Sequence, residues 1–188
     1  MSSEVKVNKI SPASGTSIVI GNSGDTVSLG SGVSASGFGK VLQVVQGIKS
    51  NTFSTTSASF TEITGLSVSI TPSNASNNVL IIYSVAFGVN NHNHHQLRRD
   101  GVEIAPLNTD SGYYSGWSCG ELEVNNMTMT NVAYLDSPSS TSSLTYSVYC
   151  RSRNSSFTTA VNRTVSDTAS QDLSIRGASY IIAMEIEG

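Results

Sequence analysis

Three histidines, one tryptophan and a pair of tyrosines are the residues of this chain best suited to chemistry. His92, His94 and His95 are its only histidines and fall within the stretch NNHNHHQ. In an extended segment, residues two apart share a face, which points His92 and His94 the same way. If three chains met on an axis at this loop, the paired imidazoles could surround a transition metal octahedrally. The simpler alternative is a solvated polar loop whose histidines titrate near neutral pH. Tyr113, Tyr114 and Trp117 sit in GYYSGWS, a loop of aromatic and small residues. Rings in such settings stack on sugars or anchor protein contacts. In the competing reading, Trp117 and one tyrosine plug the open end of the fold. Tyr113, Tyr114, Trp117, Asn91 and His95 are the candidate binding contacts, and His92 and His94 the candidate metal ligands.

Catalysis finds little support. The carboxylates Asp100, Glu103, Asp110, Glu121, Glu123 and Asp136 are scattered, and Asp100 is explained by a turn with Gly101. GYYSGWS is not the G-x-S-x-G of a nucleophile elbow. No phosphate loop is present, and we expect no enzyme and no cofactor, a transition metal at His92 and His94 being the one candidate. Cys119 and Cys150 have neither C-x-x-C nor zinc spacing and read as small, half-buried apolar residues.

Positioning these residues falls to strands. At 188 residues the chain can bury a core without metal or disulfide help. Only 12% of it is charged, about half the usual share, and Ser, Thr, Asn and Gly fill the gap. The Ala, Leu, Glu and Lys tracts favoured by helices are missing. All four lysines lie in the first fifty residues, which carry +2, and the remainder carries −5. No clustered basic face for nucleic acid is expected. MSSEVKVNKI lacks the apolar core of a signal peptide, and no run approaches the ~20 residues of a membrane span. Synthesis in a cytosol without membrane insertion is the expectation.

Residues 1–38 differ from the rest. Short apolar pairs, Val5 with Val7 and Ile18 with Ile20, are punctuated by glycines every few residues. Strands this short build no core of their own and need a partner, either another domain or copies of the same chain. From 39 to 188 the pattern is that of an antiparallel β-sandwich, jelly-roll-like, with about eight to ten strands. GLSVSITP alternates with Leu66, Val68 and Ile70 inward. In NVLIIYSVAFGV, Val79, Ile81, Tyr83, Val85, Phe87 and Val89 share one face, while Leu80, Ile82 and Ala86 are apolar on the other. Such a strand is central, or its outer face is covered by another subunit. A histidine-bearing tip follows, then QLRRDGVEI as a hairpin turning at Asp100-Gly101. SLTYSVYCR alternates again, and the chain closes on Tyr180, Ile182, Met184 and Ile186 along one face.

Several stretches carry a resemblance that covers nearly the whole chain. NKISPASGTSIVIGNSGDTVSLGSG followed by GFGKVLQVVQ resembles the N-terminal part of tailed-phage fibre-type virion proteins. TFSTTSASFTEITGLSVSITPSNASNNVLI, LRRDGVEI, YLDSP, TYSVYCRS and IIAMEIEG resemble their C-terminal head domain. The resemblance implies a homotrimeric β-sandwich head, related in architecture to trimeric jelly rolls of the TNF and C1q type. It also implies an N-terminal segment that docks on the virion, for which Val5, Val7, Ile10, Ile18 and Ile20 are the candidate contacts. The resemblance fits tail and capsid alike; the leading expectation is a short tail fibre or spike whose distal loops bind a host surface glycan or protein. The alternative is a capsid-bound head fibre or decoration protein. The virion partner is then a tail adaptor or the major capsid protein.

Overall fold

The computed structural model describes residues 10–12, 14–15, 20, 26, 31, 41–105, 116–119, 125–167 and 175–188. The chain divides into two compact units, Met1–Phe38 and Gly39–Gly188. The second unit is all-β among its described residues. In chain order its strands are β1 (Val41–Lys49), β2 (Phe53–Thr55), β3 (Thr61–Ile70), β4 (Asn78–Val89), β5 (Asn93–Arg99), β6 (Val102–Ala105), β7 (Trp117–Cys119), β8 (Thr128–Asp136), β9 (Leu144–Ser152), β10 (Thr159–Val161) and β11 (Ser179–Ile186).

The strands form two antiparallel sheets. The first follows β1-β11-β4-β10-β2, with β8 also on β4, and the second follows β3-β9-β5-β6, with β7 on β5. β4 organises the first sheet. β11 pairs with its first half and β10 with its last three residues, while β8 runs along the opposite edge. That central place puts one apolar face on the core, while Leu80 and Ile82 on the other face stay only half-buried. Its inward residues Val79, Ile81, Tyr83, Val85, Phe87 and Val89 are all at most 1% exposed. They meet Leu66, Ile70, Leu97, Tyr146 and Val148 of the second sheet in one continuous core. Asp100 and Gly101 both take left-handed φ, 50° and 81°, as the two-residue β5–β6 turn requires.

Two departures from the sequence reading matter. Trp117–Cys119, expected in a loop, is a short strand paired with β5 at Asn93–His95. The histidine stretch, expected at a hairpin tip, instead joins β4 of one sheet to β5 of the other. A strand apolar on both faces has its edges taken by β8, β10 and β11, so the chain leaves it by changing sheets.

Polar side chains tie the two layers together. Asp136 on β8 accepts hydrogen bonds from Arg99 on β5 (2.6 Å) and from the Tyr146 hydroxyl on β9 (2.7 Å). Glu185 on β11 accepts from the Ser73 amide (2.6 Å), the Ser73 hydroxyl (2.7 Å) and Asn77 Nδ2 (2.7 Å), anchoring the β3–β4 connection. Along one side the sandwich closes by close approach of β1 to β3. A β carbon on Gly47 would overlap the backbone carbonyl oxygen of Ser67, with Val68 and Ile181 also in contact. Gly47→Ala should therefore destabilise the unit by about 1–3 kcal/mol, because backbone rather than a flexible side chain must yield. The check is the urea midpoint, which falls at unchanged slope.

Candidate functional site

Period-two geometry and the point where β5 begins decide the fate of the histidines. His92 precedes the strand and is exposed. Its backbone amide bonds to Asn91 Oδ1 (2.8 Å), which also lies 3.0 Å from His92 Nδ1. Asn91 Oδ1 additionally accepts from Arg153 at 3.3 Å. His94 lies half-buried on the outer face of the second sheet, opposite Arg151 of β9. Its pKa is pushed down by burial first, then by the charges of Arg151 and His92. Among the described residues, no group of three His, Cys, Asp or Glu side chains could hold a metal ion within one chain. A metal at His92 and His94 would need ligands from further chains.

His95 corrects the sequence reading. It was grouped with the surface contacts, but β5 starts at Asn93, so Asn93, His95 and Leu97 point inward, and each is 0% exposed. A side chain so placed touches no receptor. Instead it completes an aromatic cluster between the layers. Its Nδ1 lies 3.0 Å from the Tyr83 hydroxyl. Its ring is stacked on Trp117 with centroids 5.8 Å apart and packs on Phe87 at 5.2 Å. Tyr83 also meets Trp117 edge-on at 6.0 Å. Nε2 has no hydrogen-bond partner among the described residues. Burial, and then the charge of His94, push the His95 pKa down to about 3, so the ring is neutral near pH 7.

Trp117 thus packs on the core. Tyr113 and Tyr114 lie outside the described residues, as do Val5, Val7 and Ile18. Of the remaining attachment candidates, Ile10 is 64% exposed and Ile20 is 65% exposed.

The two outer faces of the sandwich differ in chemistry. On the second sheet, Arg98 lies over the Tyr149 ring at 4.3 Å and within 5.8 Å of Phe60. Its Nε and Nη2 donate to Gln96 Oε1, and Tyr149 donates to Glu62 at 3.3 Å. The next register positions carry Ser69 and Thr145, whose hydroxyls are 3.0 Å apart. This face is polar, aromatic and charged. Sequence reading passed over it. The alternation of TYSVYCR did place Thr145, Ser147 and Tyr149 away from the core, but nothing local paired Tyr149 with Arg98 across the ladder.

On the first sheet the outer residues fall into cross-strand rows. One row runs Val44, Met184, Leu80, Leu135 from β1 through β11 and β4 to β8. The next runs Gln46, Ile182, Ile82, Ala133, and a third Ile48, Tyr180, Ser84, Asn131. No residue in the three rows carries a charge. Val44 is 57% exposed, Ile48 64% and Leu135 54%. The second apolar face that the sequence showed on β4 is thus one column of a wider surface. Beyond the third row, Gly177 packs directly on Ala86, so the chain covers that end itself.

A scan against protein-family models and a search of curated proteins return no match for this chain.

Proposed function

We propose that this chain is a non-enzymatic virion protein of a tailed phage, a short fibre or spike. Its homotrimeric sandwich head would recognise the host cell surface. The observation that carries the reading is the contrast between the two outer faces of the head. One is uncharged and apolar, as suits packing within an assembly. The other presents polar, aromatic and charged side chains to solvent. The resemblance of the sequence to fibre-type proteins supplies the virion setting. Met1–Phe38 is the attachment segment in this proposal, through Val5, Val7, Ile10, Ile18 and Ile20. Host recognition is assigned to Asn91, Tyr113 and Tyr114, binding a surface glycan or protein. Each site is weak alone, and copies held on one particle raise avidity by orders of magnitude without new contacts.

Electron microscopy of the particle, with the chain carrying a bulky C-terminal label, tests the setting. Label at the tail supports the fibre reading, and label on the shell replaces it with a capsid decoration protein. A particle bearing no label overturns both. The recognition step makes its own prediction. Replacing Tyr113 and Tyr114 together by Ser should lower binding of the purified protein to infectable cells at least tenfold. The loss of two aromatic anchors is multiplied across the copies. Unchanged binding would remove that loop from the account. Trp117 is unsuitable for this test because its ring stacks on His95 in the core.

A further inference from the structure

The uncharged outer face of the first sheet lies partly exposed in the single chain. We propose that it is the self-association surface, and that a second copy of this chain packs on the rows centred on Leu80, Ile82, Met184 and Ile182. The inference takes only the number of copies from the trimeric reading above. The face itself is argued from the fold.

Four strands about 4.8 Å apart, with rows about 6.8 Å apart, give the three rows a flat footprint of roughly 400 Å². Leu42 at 39% exposure and Met129 at 50% extend it at the flanks. Interfaces of standard size take about 800 Å² of accessible surface per partner, around an apolar, charge-depleted core. The footprint is the size of such a core, and corrugated side chains add area beyond the flat value. It also equals the largest apolar patches of about 300–600 Å² found on ordinary monomers, which are commonly functional.

The chemistry points to a copy rather than a different protein. Selecting an acidic or basic partner needs complementary charge, and the three rows hold none. What they offer is aliphatic surface with a few neutral polar groups, Gln46, Ser84 and Asn131, and that chemistry is complementary to itself. The mode of contact is constrained as well. Close approach of β1 to β3 at Gly47 and Ser67 closes the sandwich along the β1 side. Gln43 reinforces this by donating to the Thr71 carbonyl across the same gap at 3.1 Å. Association is therefore by side chains across the face, not by continuing the ladder at β1. The gradient along the strands orients it. The all-aliphatic first row lies toward the end where β1 begins, and the neutral polar groups lie toward the other. The copies approach most closely at the end where β1 begins.

The test is native mass spectrometry and light scattering on the full chain at micromolar concentration. Val44→Glu and Leu135→Glu each put a charge on a side chain more than half exposed in one chain, away from the core. The wild type should be a multimer, and each variant should dissociate at least a hundredfold more readily, with its β-sheet circular dichroism intact. Glu62→Lys on the opposite face should leave the mass unchanged. Should a Glu variant fail to fold, Val44→Ser and Leu135→Ser serve instead, with at least a tenfold weakening expected. A trimeric wild type whose face variants keep their mass overturns this inference but leaves the trimeric reading standing. A monomeric wild type overturns both. A monomer that binds neutral phosphatidylcholine vesicles through this face replaces the second copy with a lipid surface, and so also overturns the inference.

Discussion

Between pH 6.5 and about 3 the head will lose stability with every unit of acidification, and His95 will account for about 1 kcal/mol of each unit. The sign follows from the direction of its shift. Burial holds the folded-state pKa down to about 3, whereas the unfolded chain takes up a proton near 6.5. Above pH 6.5 both states are neutral and the stability is fully present. Below it the unfolded state gains a proton that the folded state cannot accept, until the pH reaches the folded value. By pH 4 the loss is about 3 kcal/mol, a large fraction of a typical domain's margin. The sole tryptophan of the chain is stacked on this imidazole, so Trp117 emission reports the transition directly. His95→Phe should flatten the pH slope over this range. At neutral pH it should cost about 1–3 kcal/mol, because the Tyr83 hydroxyl loses its bond. A variant that keeps the wild-type slope would show that the acid sensitivity arises elsewhere.

Asp136→Ala will destabilise the head by about 3 kcal/mol. The carboxylate is nearly buried and holds two donors from the opposite sheet. Its removal strands the Tyr146 hydroxyl in the core and leaves Arg99, about a quarter exposed, with its charge unmatched. Tyr146→Phe removes only one neutral partner and should cost about 1 kcal/mol. Chemical denaturation of both variants checks the pair. Equal losses would mean that the charge pairing contributes nothing beyond the Tyr146 hydrogen bond.

Much of the architecture was legible because strand alternation is a direct imprint of burial. β4 falls at Asn78–Val89 as its apolar run indicated, and its inward set is the one that period two selects. The Asp100-Gly101 turn and the apolar C-terminal strand were equally readable. The histidine site was less so, because its reading depends on phase. Moving the start of a strand by one residue exchanges its two faces. No residue near Asn91 announces that β5 starts at Asn93, so the sequence could not say that His95 points in while His94 points out. Trp117 illustrates a second limit. A three-residue strand has too little periodicity to detect, and its place is set by the ladder to β5. Asp136 illustrates a third. It looked like one of several scattered carboxylates, because its partners Arg99 and Tyr146 lie 37 and 10 residues away. The outer face of the first sheet stood between these cases. The apolar column on β4 and the one on β11 were each visible, but their adjacency, and the addition of Val44 and Leu135, come from strand order alone.

The central claim is that this head works as an assembly of identical chains joined through that face. Its most direct test is the molar mass of the full-length chain by light scattering in dilute solution. The account predicts three times the 19.7 kDa of one chain, persisting to low micromolar concentration. A single 19.7 kDa species at tens of micromolar, folded by circular dichroism, would contradict it.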